Sequence, residues 1–133
     1  MNVRRDEAGL VGKMVIVWVL FLGIIAVAAI DAASIAFATY KLSDVGSTAA
    51  SEGARVFRAD HDVRATCDRV ARVVAAEEPT ARVTHGGCSV ERPTGLVTVK
   101  VRKLANTLIA HRIPWTEDLA TVTVTETAGP PSL

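Results

Sequence analysis

Aromatic residues are scarce in this chain of 133: three phenylalanines, two tryptophans and one tyrosine. Net charge is nearly absent too, with 15 basic and 14 acidic residues leaving +1 at pH 7. No basic stripe interleaved with aromatics exists, which argues against nucleic acid as a partner. Catalytic patterns are missing as well. His61, His85 and His111 are scattered, none with a second ligand at metal spacing, and they read as surface loop histidines. Asp60-His61-Asp62 reads as a helix-capping cluster ahead of a divalent-ion site. There is no serine elbow, phosphate loop or zinc pattern, and no nucleophile is set beside a base. The expectation is a protein without enzymatic activity, cofactor, metal or small-molecule substrate.

What the chain has in quantity is greasy sequence at one end. Half of its residues are hydrophobic and the mean hydropathy is +0.31. Met14 to Ile30 is an apolar run of 17 residues, and Ala32 to Tyr40 extends it beyond Asp31. A hydrocarbon core of roughly 30 Å needs about 20 residues at 1.5 Å each, so Met14 to Ile35 spans it. A cleaved secretory leader is the competing reading, because Ala26-Val27-Ala28 and Ala36-Phe37-Ala38 both fit an A-x-A site. The run is longer than the roughly 7–15 residues of such a leader, which favours an uncleaved anchor.

The flanks orient the span. Arg4, Arg5 and Lys13 precede it and only Lys41 closely follows, so the N-terminus is expected in the cytoplasm and the rest outside. Trp18 and Tyr40 would sit near the two interfaces, and all six of these residues are candidate membrane-flank anchors. In an extracytoplasmic domain Cys67 and Cys88 are most simply a disulfide, closing a loop worth about 3 kcal/mol in the chain-entropy model. Two buried free thiols are the alternative.

The expected organisation is a cytoplasmic segment (1–13), a transmembrane helix (14–40), an extracytoplasmic α+β domain (41–127) and a disordered tail (128–133). Val45, Ala49, Gly53, Val56, Val63, Cys67, Val70 and Val74 recur at spacings of three, four or seven, an amphipathic helix with an interruption near Asp60-His61-Asp62. Glu77-Glu78-Pro79 marks its exit. Beyond Pro79 the period becomes 2. "ARVTHGGCSVE" is β-like with a glycine pair marking a turn or bulge, and "RPTG" is a turn. "LVTVKVRK" puts Val97, Val99 and Val101 on one face, and "LATVTVTET" turns Val122 and Val124 inward. Between them "LANTLIAHRIPWTED" has no clear period. It is apolar enough to cover a sheet edge or lie against the membrane.

Small residues concentrate in the outer half of the span. Ala28, Ala32 and Ala36 recur every fourth position, with Gly23 earlier, and such spacing lets helix backbones approach closely in lipid. Gly23, Ala28, Asp31, Ala32 and Ala36 are therefore the candidate packing surface, toward copies of the chain or another membrane protein. Asp31 keeps two readings. From Lys13 it lies about 27 Å along a helix, near the outer boundary of the hydrocarbon. It is either an interfacial residue or a carboxylate that meets a partner's cation or hydroxyl.

"RRDEAGLVGKMVIVWVLFLGIIAVAAIDAAS" followed by "TAASEGARVF" resembles the start of TadE/TadG-like proteins of the tight-adherence (Flp) pilus assembly system, especially actinobacterial ones. Arg5-Asp6-Glu7 with Gly9, then Asp31, then Ala49-Ala50-Ser51-Glu52-Gly53-Ala54-Arg55 stand in that family's places. The helix, cysteine pair and paired strands of the C-terminal half are similar too. Members cut by the prepilin peptidase carry a glutamate five residues after a glycine. Here Met14 follows Gly9 and Val17 follows Gly12 at that distance. The resemblance therefore implies a structural or assembly component, minor-pilin-like, that keeps its N-terminus. A small accessory subunit of another membrane complex, docking through the alanine-rich helix, is the alternative. A secreted binding domain is a third.

The fold class expected is α+β: a long N-terminal helix with a single transmembrane span, continuing to an amphipathic helix packed on a small antiparallel sheet.

Overall fold

A computed structural model describes residues 3–129, with side chains from residue 9 onward except that of His111. The side chains of Arg4 and Arg5, and most of the expected tail, lie outside the described residues. The fold is the expected α+β arrangement. One helix, α1, runs from Val3 to Asp60 (58 residues). No proline occurs before Pro79, so nothing in the sequence forces a break. From Leu10 to Ile30 its large apolar side chains, Val27 apart, are about half exposed or more, and this part is long and apolar enough to cross a membrane. A soluble-core helix of that composition would be buried; this one fits a transmembrane helix.

Burial begins at Ala38 and continues through Leu42, Val45, Ala49, Ala50, Ala54 and Phe57. Apart from the adjacent pair Ala49-Ala50, steps of three and four keep that stripe on one side of the helix. α1 ends where His61 takes a left-handed backbone (φ 54°) and its N–H donates to the Phe57 carbonyl at 2.8 Å. Asp62 then caps α2 (Val63–Glu77) by accepting from the Arg64 N–H at 2.8 Å. The expected interruption and its capping aspartate are both there.

The sheet has the order β1-β2-β3, from β1 (Arg82–Glu91), β2 (Leu96–Leu104) and β3 (Thr121–Ala128), all antiparallel. Val97, Val99 and Val101 of the central strand are completely buried beneath the helices. Thr123, Thr125 and Thr127 of β3 face out, and Val122 faces in. α1 lies across β2 and β3, and α2 covers β1. The glycine pair marks a wide bulge. Val83 pairs with Val101 and Cys88 with Val99, so residues 84–87 loop out opposite Lys100. Gly86 supplies the positive φ of 68° needed there.

The small residues of the "AASEGAR" stretch are what let α1 sit close. Ala49, Ala50 and Ala54 are buried. A methyl group on Gly53 would stand 2.7 Å from a Val70 methyl of α2 and 3.3 Å from one of Val97. Cys67 of α2 and Cys88 of β1 are joined in a disulfide, their Cα atoms 5.8 Å apart. It ties the second helix to the edge strand.

Candidate functional site

The β2–β3 connection, residues 105–120, is a closed loop. Its neck is pinned by the Ala105 N–H donating to the Ala120 carbonyl at 2.7 Å. Inside it a 3-10 turn (Ala110–Arg112) and a one-turn helix (Glu117–Ala120) follow each other. The Thr116 hydroxyl donates to the Ala110 and Ile113 carbonyls at 2.8 and 3.1 Å. A loop of this size that bonds to itself holds a defined shape.

That shape is seated on Asp31. The N–H of Leu108 donates to Asp31 Oδ1 at 2.6 Å, and those of Ile109 and Ala110 donate to Oδ2 at 3.2 Å each. Three successive amides around one carboxylate form an anion-binding nest. The 3-10 turn has no side-chain cap of its own at Ile109, and Asp31 takes that role from a different element. Hydrogen bonds to a charged acceptor are the strong kind, about 1.5–3 kcal/mol each where one partner is ionised. The aspartate thus has partners within its own chain, an arrangement that neither reading of the sequence contained.

The clasp leaves a groove between α1 and the loop, about 740 Å³ in volume. Gly23, Ala28, Asp31 and Ala32 all line it on the helix side; Ile109, Ile113 and Leu119 line it on the loop side. Of the expected packing surface, four residues are therefore brought together. Ala36 is exposed and does not line the groove.

Above the clasp a second polar centre joins three elements. Glu78, at the end of α2, is 6% exposed. Its Oε2 lies 2.9 Å from Lys41 Nζ of α1 and 3.1 Å from Lys103 Nζ of β2. Its Oε1 accepts from the Thr80 hydroxyl at 2.7 Å. The Lys41 ammonium, then Thr80 and Lys103, hold the carboxyl down to about 2 from 4.5, against the opposing effect of burial. Lys41, expected as a flank anchor, is thus an ion-pair partner inside the domain, half exposed. Of the other candidate anchors, Tyr40 and Trp18 are exposed, with Trp18 edge-on to Phe21 at 6.0 Å between ring centroids. Lys13 is exposed as well.

Among the described residues no group of three His, Cys, Asp or Glu side chains is placed to hold a metal ion. His61 packs against Phe57 at a ring distance of 5.7 Å. No family model, curated protein or solved structure matches this chain.

Proposed function

We propose that the protein is a non-enzymatic, single-pass membrane component of a tight-adherence (Flp) type pilus or secretion assembly, of the TadE/TadG-like kind. Its N-terminus lies in the cytoplasm and its α+β domain outside. The observation that carries the reading is the unbroken 58-residue α1, a rod of about 87 Å at 1.5 Å per residue. Its first part presents apolar side chains to the surroundings and its second part forms one layer of the domain core. A flexible linker would lose any displacement between the two; a continuous helix transmits it. Docking of the membrane part against an assembly platform therefore fixes where the outer domain stands.

The residues around Arg5-Asp6-Glu7, Asp31 and Ala49 to Arg55 support the family reading, and the excess of Arg4, Arg5 and Lys13 before the span supports the orientation. The test is to tag the protein in its native host, solubilise membranes gently and identify what elutes with it, alongside a gene deletion scored for surface pili. Secretion-platform proteins in the eluate and a bald deletion strain are expected. Normal piliation, with an unrelated complex in the eluate, would replace this reading with that of an accessory subunit.

A further inference from the structure

The β2–β3 loop carries an apolar surface that the described residues leave largely exposed. Trp115 is 83% exposed and Leu119 67%, with Leu108 and Ile109 about half exposed. These side chains do not project at random, because the Asp31 clasp fixes the loop against the membrane-facing stretch of α1. The groove beneath the loop runs along that helix from Val19 to Ile35, about 24 Å at 1.5 Å per residue. One wall of the groove is thus the span itself. Whatever medium surrounds Val19, Ile24 and Val27 also enters the groove.

Backbone chemistry points the same way. A loop entering hydrocarbon must satisfy its amides and carbonyls internally, since lipid tails offer no partners. Asp31 takes the N–H groups of Leu108, Ile109 and Ala110, and Thr116 covers the carbonyls of Ala110 and Ile113. Arg112, Glu117 and Asp118 of the same loop are exposed, and charged side chains of this kind favour headgroups and water over hydrocarbon. Asp31 is about 27 Å along the helix from Lys13, which places the clasp at the edge of a hydrocarbon layer of roughly 30 Å.

We propose that the β2–β3 loop is a second membrane-contacting element. Its apolar face enters the leaflet on the side of the folded domain, and the groove between it and α1 takes a phospholipid acyl chain. The inference rests on insertion of the helix and is independent of the pilus role. It makes the protein attached at two places in one leaflet, so the domain is held at a fixed tilt to the membrane instead of swivelling on a single helix.

The experiment is fluorescence quenching of the full chain in phosphatidylcholine vesicles brominated midway along the acyl chains. The only tryptophans are Trp18 and Trp115, so Trp18→Phe isolates the loop and Trp115→Phe isolates the span. Ile113→Trp, added to both substitutions, reports on the groove. Trp18 tests insertion alone and should be quenched. Trp115 and the tryptophan at 113 are expected to show blue-shifted emission and strong quenching by the same lipids. Emission at the wavelength of a water-exposed indole, unquenched at both loop positions while Trp18 is quenched, overturns the proposal. An unquenched tryptophan at 113, with Ile113→Cys forming disulfide-linked dimers, assigns the groove to a second copy and overturns the lipid occupant. An unquenched Trp18 overturns it at the root.

Discussion

Replacing Glu78 with glutamine is expected to cost about 1–2 kcal/mol at pH 7 and to remove a defined part of the acid sensitivity. The carboxyl is held to about 2 from 4.5 by Lys41, Thr80 and Lys103. At about 1.36 kcal/mol per pH unit this corresponds to roughly 3 kcal/mol as an upper limit. Solvent screening reduces it, because the Lys41 side chain is 49% exposed; about 1–2 kcal/mol remains. The glutamine also leaves Lys103, only 19% exposed, without its counter-charge, which acts in the same direction. The folded-state value is depressed, so the contribution is complete above about 4.5 and is lost as the pH falls toward about 2. Thermal unfolding of the full chain in a nonionic detergent, followed by circular dichroism at a series of pH values, checks both parts. At pH 7 the variant should melt roughly 5–10 °C below the wild type, and the gap should close between about pH 4.5 and 2. Equal melting temperatures at neutral pH, or a gap independent of pH, would refute the assignment of Glu78 as the ionic tie between α1, α2 and β2.

Gly53→Ala should destabilise the domain by about 1 kcal/mol in the same assay. The new methyl meets Val70 at 2.7 Å, an overpacking cost of about 1–3 kcal/mol, offset by about 1 kcal/mol of helix propensity. A stabilised variant would show that the contact between α1 and α2 has slack. Cys67→Ser with Cys88→Ser should lower stability by about 3 kcal/mol, and the bulge at residues 84–87 should become the first site of protease cleavage. Resistance equal to that of the wild type would place the hold on β1 elsewhere.

Much of this architecture was legible in the sequence because its signals are local. The 3.6 period over Val45 to Val56, the Asp62 cap and the alternation in β2 and β3 each occupy a few consecutive residues, although the structure buries Phe57 more deeply than the Val56 of that pattern. The disulfide followed from the count of two cysteines and the extracytoplasmic placement expected for them. What escaped was the chemistry that joins distant segments through groups without a sequence signature. The donors to Asp31 are the backbone amides of Leu108, Ile109 and Ala110, which any non-proline residue supplies. Their neighbourhood had no period, so the loop read only as an apolar connection. Glu78 read as a helix exit because its partners, Lys41 and Lys103, lie far away in the chain on other elements. Lys41 likewise read as a flank charge. The only hint was Asp31 itself, a carboxylate too expensive to leave unpartnered in so apolar a helix.

The clasp between Asp31 and the β2–β3 loop is the feature on which the membrane-proximal site depends. Amide hydrogen exchange in the wild type and in Asp31→Ala, resolved at Leu108, Ile109 and Ala110, tests it most directly. Losing a charged acceptor worth about 1.5–3 kcal/mol should reduce protection at these amides by roughly 10- to 100-fold, while the amides of Val97, Val99 and Val101 in β2 stay protected. Unchanged protection at Leu108 to Ala110 would contradict the account.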